Sequence, residues 1–322
     1  MIITAHGFLK MLRPLTLVSG LLLAPPAFPW GCQGHQVVAL IALEQLNSHA
    51  RMEAAQLLES PVYDTALHRY CPASGLPLLA DLSSWADDIR NQRKETAGWH
   101  FIDIPLNARR KNLTEACPAS GCVTSAIRHD AEVLRSSSAS KREKTEALMF
   151  VVHFVGDLHQ PLHSADNGDR GGNCVAVAFF DHQPETSGAG QNYRPNLHGV
   201  WDTDLLERVS HGQDADAFAA GLRTEFASKM KPWIRQPVDI DAWAWESHKV
   251  AVKTVYGRLP RKIAVEPPRP VEGCADHDMG KRMYELHEQI DQRYLEAVSP
   301  VIRRQLALAG TRLAALLNQV WP

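Results

Sequence analysis

Between residues 140 and 160 the chain reads SKREKTEALMFVVHFVGDLHQ: a charged start, then apolar positions at Leu148, Val151, Val152 and Val155. That spacing predicts a helix with one face inside the protein. Ser138 or Ser140 can cap its start, and Pro161 forbids much continuation past Gln160. GHQVVALIALEQLN is nearly all apolar on one side and predicts another helix. Further helices are expected around 50–59, 78–91, 122–137, 214–230, 239–256, 277–296 and 298–319. Strand-like text is scarce. NCVAVAFF (173–180) is the clearest case, and the turn-rich DHQPETSGAGQNYRPN behind it fits a hairpin or a long loop. The Pro-rich stretch 259–270 fits a connector within one domain. The expected fold is mainly α, a single domain of packed helices with a small β-hairpin, its function gathered on loops and helix ends.

The N-terminus breaks this pattern. Lys10 and Arg13 precede LTLVSGLLLAPPAF, an apolar run too short to span a bilayer, and together they read as a signal peptide. The expected division is 1–29 signal peptide and 30–322 working domain. Removing the leader takes two positive charges and no negative ones, so the net charge moves from −2 to −4. No bulk basic charge advertises nucleic-acid binding. No apolar run of about 20 residues promises stable membrane insertion. The 6 cysteines fit an oxidising compartment, outside the cell or periplasmic. Cys117 and Cys122, in CPASGC, are the best pair; Cys32, Cys71, Cys174 and Cys274 can form two more bridges or stay as buried thiols.

The end of the 140–160 helix is chemically odd. HFVGDLHQPLH places His153, Asp157, His159 and His163 directly after an apolar stretch. His153 and Asp157 are four apart and share a helix face. A buried unpaired Asp is costly, and one positive centre touching His153, Asp157 and His163 removes the problem. A lone histidine here would be an ordinary core residue; this set points to a metal. His159 is left out, because the helix dipole favours a histidine there anyway. Other short pieces repeat His and Asp beside Trp. WADDIR offers Asp87, Asp88 and Arg90; WHFID offers His100 and Asp103; NLHGVWD offers His198 and Asp202; WGCQGH offers His35. Each alone reads as a solvated face. Together, nitrogen and carboxylate ligands without cysteine suit zinc in a catalytic cluster.

The ordered set WG…GH, SWAD..R, HFID, HF.GD..QPLH, GGN and NLH..WD closely resembles the zinc-dependent type I nucleases, the single-strand-specific extracellular S-one/P-one family, distant relatives of the bacterial three-zinc phospholipase C. The motifs run in order from Trp30 to Asp202. The resemblance implies three zinc ions. One takes Asp87, His100 and His153, with Asp157 bridging to a second. The second takes His35, Asp157 and the free amine and carbonyl oxygen of Trp30 as first residue. The third takes His163, His198 and Asp202. Asp87, Arg90 and Asp157 are then the catalytic group, with Arg90 on the phosphate. Phe101 matches a base-stacking position, Asp103 a base-contacting one, and Asn173 a loop beside the site.

The implied activity is endonucleolytic hydrolysis of single-stranded DNA and RNA to 5′-phosphorylated products, with 3′-nucleotides as further substrates and a monomeric enzyme. Single strands are preferred because a base must unstack to reach Phe101. Two features depart from the family pattern. The loop between Asn173 and His198 is longer than in fungal members, and Pro29 replaces the small residue usual at a cleavage site. Two other readings stand beside the nuclease: a phospholipase C with the same cluster, and a secreted zinc-binding protein without catalysis. A lipid head group needs no stacking ring, and a storage site needs no phosphate-contacting arginine.

Overall fold

A computed structural model describes residues 30–59, 68–187, 192–266, 274, 282, 284–285 and 288–322, with the side chains of 111 and 112 outside the description. The expected leader therefore lies outside the described residues.

The helix that ends in titratable groups is the centre of the fold. Ser140 accepts from the Glu143 N–H while the Glu143 carboxylate accepts from the Ser140 N–H, and this reciprocal cap starts α6, Lys141–His159. Every residue from Ala147 to His159 is buried. Before it in the chain come α1 (Gly31–Leu43), α2 (Ser48–Leu58), the short α3 (Leu78–Asp81) and α4 (Trp85–Ile89), and α5 (Val123–Arg135). After it come α7 (Leu197–Gly199), α8 (Leu205–Ser210), α9 (Ala215–Trp233), α10 (Ile240–Val250) and α11 (Gln292–Val320). Wide π-type turns extend α7 over Val200–Asp204 and α10 over Ala251–Tyr256. Two 3-10 segments, Lys94–His100 and Arg110–Ala116, fill the approach to α5.

Helix α6 is held between α5 and the long α11, which also packs along α1 and α9. Leu306, Leu313 and Leu317 of α11 and Val37, Val38 and Ile41 of α1 are fully buried; each such aliphatic side chain contributes about 1.5–3 kcal/mol. The two helices touch at Gly310, where a Cβ would lie 2.6 Å from Ile41. Main-chain proximity there requires glycine.

The expected break between 277–296 and 298–319 is not found. Residues 288–290 are a strand, and one helix runs through Pro300 to Val320. Pro300 falls on an exposed position near the start of the helix, and the buried face beyond it carries the helix onward. The 78–91 helix is likewise two short helices joined at Leu82–Ser84. The strand expected in 173–180 forms as β1, Val177–Phe179, but pairs in parallel with β4, Glu288–Ile290. The hairpin lies further on, β2 (Glu185–Ser187) against β3 (Asn192–Arg194). All 6 cysteines are bridged, Cys32–Cys71, Cys117–Cys122 and Cys174–Cys274, which excludes the buried-thiol reading. Among the described residues no helix is long and apolar enough to cross a membrane.

Candidate metal centre

Four elements deliver the first group of side chains. His35 comes from α1, Asp87 from α4, His100 from the end of a 3-10 segment, and His153 and Asp157 from one face of α6; all are at most 2% exposed. Asp157 sits in the middle. Its Oδ1 is 3.3 Å from His35 Nε2, and its Oδ2 is 3.0 Å from His100 Nδ1 and 3.2 Å from His153 Nε2. Asp87 faces the same space, 3.6 Å from His100 Nδ1 and 3.7 Å from His153 Nε2. The groups His35–His153–Asp157 and Asp87–His100–His153 each gather ligand atoms within 4.8 Å of one another. Gly156 makes this possible. A Cβ there would lie 2.7 Å from His35 Nδ1, so only glycine lets the His35 ring lie on α6 and stack on His153 at 4.0 Å.

A second group forms where the chain leaves α6. His163 from the turn after Pro161, and His198 and Asp202 from α7 and its extension, bring their ligand atoms within 4.8 Å. The His153–Asp157–His163 set drawn from helix spacing is thus divided. His163 turns away with the chain at Pro161 and joins His198 and Asp202 instead.

Backbone carbonyls fix the ring tautomers. A carbonyl can only accept, so the ring nitrogen facing it must carry the proton. His153 Nδ1 donates to Ser83 O at 2.9 Å, His163 Nδ1 to His100 O at 2.7 Å, and His198 Nδ1 to Gly171 O at 2.6 Å. The Nε2 atoms of His163 and His198 are then bare lone pairs, yet they face each other at 3.1 Å. Burial lowers the pKa of His163 to about 3 and of His198 to about 4, so no proton sits between them near neutrality. The Asp202 carboxylate lies 3.3 Å from His198 Nε2, and burial raises its pKa well above the usual range. Two ring lone pairs facing each other in a dry site repel unless a cation lies between them, and the Asp202 carboxyl beside them is a ready third ligand.

The first group makes the same demand. Among the described residues neither Asp87 oxygen nor His100 Nε2, all buried, finds a hydrogen-bond partner. Burial raises the Asp87 pKa. Burial would lower that of His153, but the Asp157 and Asp87 carboxylates overcome it and raise it to about 9. Asp157 is held well below the ordinary range: burial opposes this, and the His153 charge with hydrogen bonds from the histidines prevails. The residues present therefore fit divalent ions bound by nitrogen and oxygen, with second-layer carbonyls orienting the rings.

Trp30 stands at the start of α1, fully buried and left-handed at φ 48°. Its main-chain N–H faces the Asp202 carboxylate. Arg90 closes α4, donates from Nη2 to Ala97 O, and its charge reaches Asp87, His100, His163 and His198. Asp88, offered by the same motif, points elsewhere and accepts the N–H groups of His68 and Tyr70. Phe101 is half-buried between the buried His100 and Ile102, so its ring is not sealed in the core. Asp103 is exposed at the surface, yet the protein packed round its carboxyl and the nearby Asp166 and Asp169 carboxylates push its pKa up to about 7. Asn173 is half-buried and spends its amide on Arg170 O at 2.8 Å, bracing the loop from within. His159 lies apart, donating from Nδ1 to Val155 O and accepting from Arg312.

Sequence reasoning missed the braces. Asp166 accepts from the N–H groups of Asp169 and Gly171, and Asp169 from those of Gly172 and the Tyr256 hydroxyl. These bonds set the Gly171 carbonyl that orients His198. Gln160, fully buried between α6 and Pro161, was also passed over. A polar side chain directly after a buried helix was the available signal.

The S1/P1 Nuclease family model matches residues 30–322. Endonuclease 2 of Arabidopsis thaliana is 27% identical over 318 residues, covering 92% of this chain and 92% of that protein. Nuclease P1 of Penicillium citrinum is 28% identical over 310 residues, 90% of this chain and 97% of that one. Nuclease S1 of Aspergillus oryzae is 28% identical over 321 residues, 93% and 94% respectively. With a family model spanning all the described residues and an ordered set of buried histidines and aspartates suited to metal, this chain belongs to the S1/P1 nuclease family and is a phosphodiesterase acting on nucleic acid.

Proposed function

We propose that the mature protein, residues 30–322, is a secreted or periplasmic endonuclease that uses three zinc ions to cleave single-stranded DNA and RNA. It would leave 5′-phosphorylated products and also dephosphorylate 3′-nucleotides. The observation that carries this reading is the pair of lone pairs on His163 and His198 facing each other at 3.1 Å beside Asp202, repeated in kind at Asp87, His100, His153 and Asp157. Asp87, His100, His153 and Asp157 would hold one ion; His35, Asp157 and the amine and carbonyl of Trp30 a second; His163, His198 and Asp202 the third. Bound zinc supplies charge to neutralise the phosphate and brings the pKa of a ligated water to about 7.

The chain's own groups do the remaining work. Arg90, permanently charged, binds the phosphoryl oxygens as negative charge builds on them. Phe101 stacks the base beside the scissile phosphate, and Asp103 accepts a hydrogen bond from that base. Stacking demands an unpaired base, so duplexes are poor substrates. The three disulfides support an oxidising compartment. Processing after Pro29 would free the Trp30 amine.

The test is turnover of single-stranded DNA, duplex DNA and a phosphocholine ester by the protein beginning at Trp30. The reading expects rapid cleavage of the single strand with phosphate on the new 5′ ends. Preference for the phosphocholine ester, or new 5′ hydroxyls, would overturn it.

A further inference from the structure

Gln160 touches both halves of the His163–His198–Asp202 group. Its Nε2 donates to Asp202 Oδ1 at 2.6 Å, and its Oε1 accepts from Leu162 N at 2.6 Å. It is fully buried, as is Asp202. Leu162 N opens the turn that carries His163. One side chain thus sets the register of His163 against Asp202. The two Asp202 oxygens differ: Oδ1 accepts from Gln160 and lies 4.0 Å from His163 Nε2, while Oδ2 lies closer to its histidine, 3.3 Å from His198 Nε2. A hydrogen bond to one carboxylate oxygen draws off its electron density and favours metal binding through the other.

We propose that Gln160 is a positioning residue that keeps Asp202 a one-oxygen ligand, so the third metal retains an open coordination position for substrate oxygen. The inference rests on the three-zinc reading. Structural metal sites are closed by the protein, whereas catalytic ones keep a position free. Asp202 binding through both oxygens would fill that position without removing the ion.

Gln160→Glu isolates the effect. It keeps an acceptor for Leu162 N and replaces the donor to Asp202 with a second carboxylate oxygen. The parent and variant are loaded with cobalt(II), and metal count, visible absorption and steady-state kinetics are compared. A parent that binds fewer than three ions fails the metal reading itself, before the variant is considered. With three bound in both proteins, the inference expects the variant's visible bands to weaken, as coordination number rises. It also expects kcat to fall about 10–100-fold, the usual effect of losing an outer-shell partner, with KM nearly unchanged. Unchanged bands and kcat would overturn it, and so would loss of the third ion from the variant. A crystal structure of the zinc-loaded parent with both Asp202 oxygens on the ion would overturn it whether or not the variant folds.

Discussion

Replacing Gly156 with alanine sets helix propensity against the site. The glycine lies within buried α6, where alanine would ordinarily gain about 0.5–1 kcal/mol. Its added Cβ, however, would stand 2.7 Å from His35 Nδ1 and 3.0 Å from Cε1, against an ordinary contact of 3.4 Å or more. The His35 ring must retreat by about 0.7 Å, the shortfall between those distances. It cannot slide freely, because it stacks on His153 with an interplanar angle of 12°. Overpacking of this kind costs about 1–3 kcal/mol. The metal-free protein should therefore lose at most about 2.5 kcal/mol, the largest overpacking cost less the smallest helix gain. Metal binding should suffer more specifically, since ligand distances tolerate only about ±0.2 Å. We expect Gly156→Ala to stay folded and to bind one ion about 10–100-fold more weakly, with the other two unaffected. Circular dichroism and competition with a chromogenic chelator measure both quantities. A folded variant with all metal affinities unchanged would refute the reasoning.

Asp157→Asn should lose at least two ions, because its carboxylate lies between His35 on one oxygen and His100 and His153 on the other, whereas His198→Ala should lose about one; elemental analysis distinguishes them. Phe101→Ala should weaken oligonucleotide binding by about 1–3 kcal/mol with metal content intact; unchanged KM and kcat would mean the ring is only packing. Metal affinity should fall with pH. In the metal-free protein His153 keeps a proton up to about pH 9, and that proton stabilises the metal-free fold below the ordinary histidine range and is lost as pH rises through about 9. A metal must displace it, so apparent affinity should drop by up to about tenfold per pH unit below 9, and more steeply once Asp87 also protonates; calorimetry in buffers of different ionisation enthalpy counts the protons released.

The sequence singled out most of the histidines and aspartates that the structure gathers, because metal chemistry restricts residue type. His153 and Asp157 are four apart on one helix, and His198 and Asp202 repeat that spacing. Helix spacing alone put His163 with His153 and Asp157, because its true group depends on how the chain turns at Pro161; the family resemblance placed it with His198 and Asp202. The Gln160 brace and the Asp166–Asp169–Tyr256 network were silent for a related reason. Amides and carboxylates that bond to main chain carry no periodic signature, and Tyr256 is brought in from 87 residues away. In the fold, apolar periodicity located α5, α6 and α9 within a few residues of their ends. It failed between 296 and 298, where one buried helix runs on without a break, and at Glu288–Ile290, whose strand exists only through β1.

The central claim is that three zinc ions, held partly by the freed Trp30 amine, perform the cleavage. Metal content and cleavage of single-stranded DNA should be measured together on protein sequenced to begin at Trp30 and on protein retaining one extra residue. The account predicts three zinc ions per chain and 5′-phosphorylated products from the first form. The second should be folded, lacking about one ion and nearly inactive. Full activity with an extra residue ahead of Trp30, or cleavage surviving complete removal of metal, would contradict it.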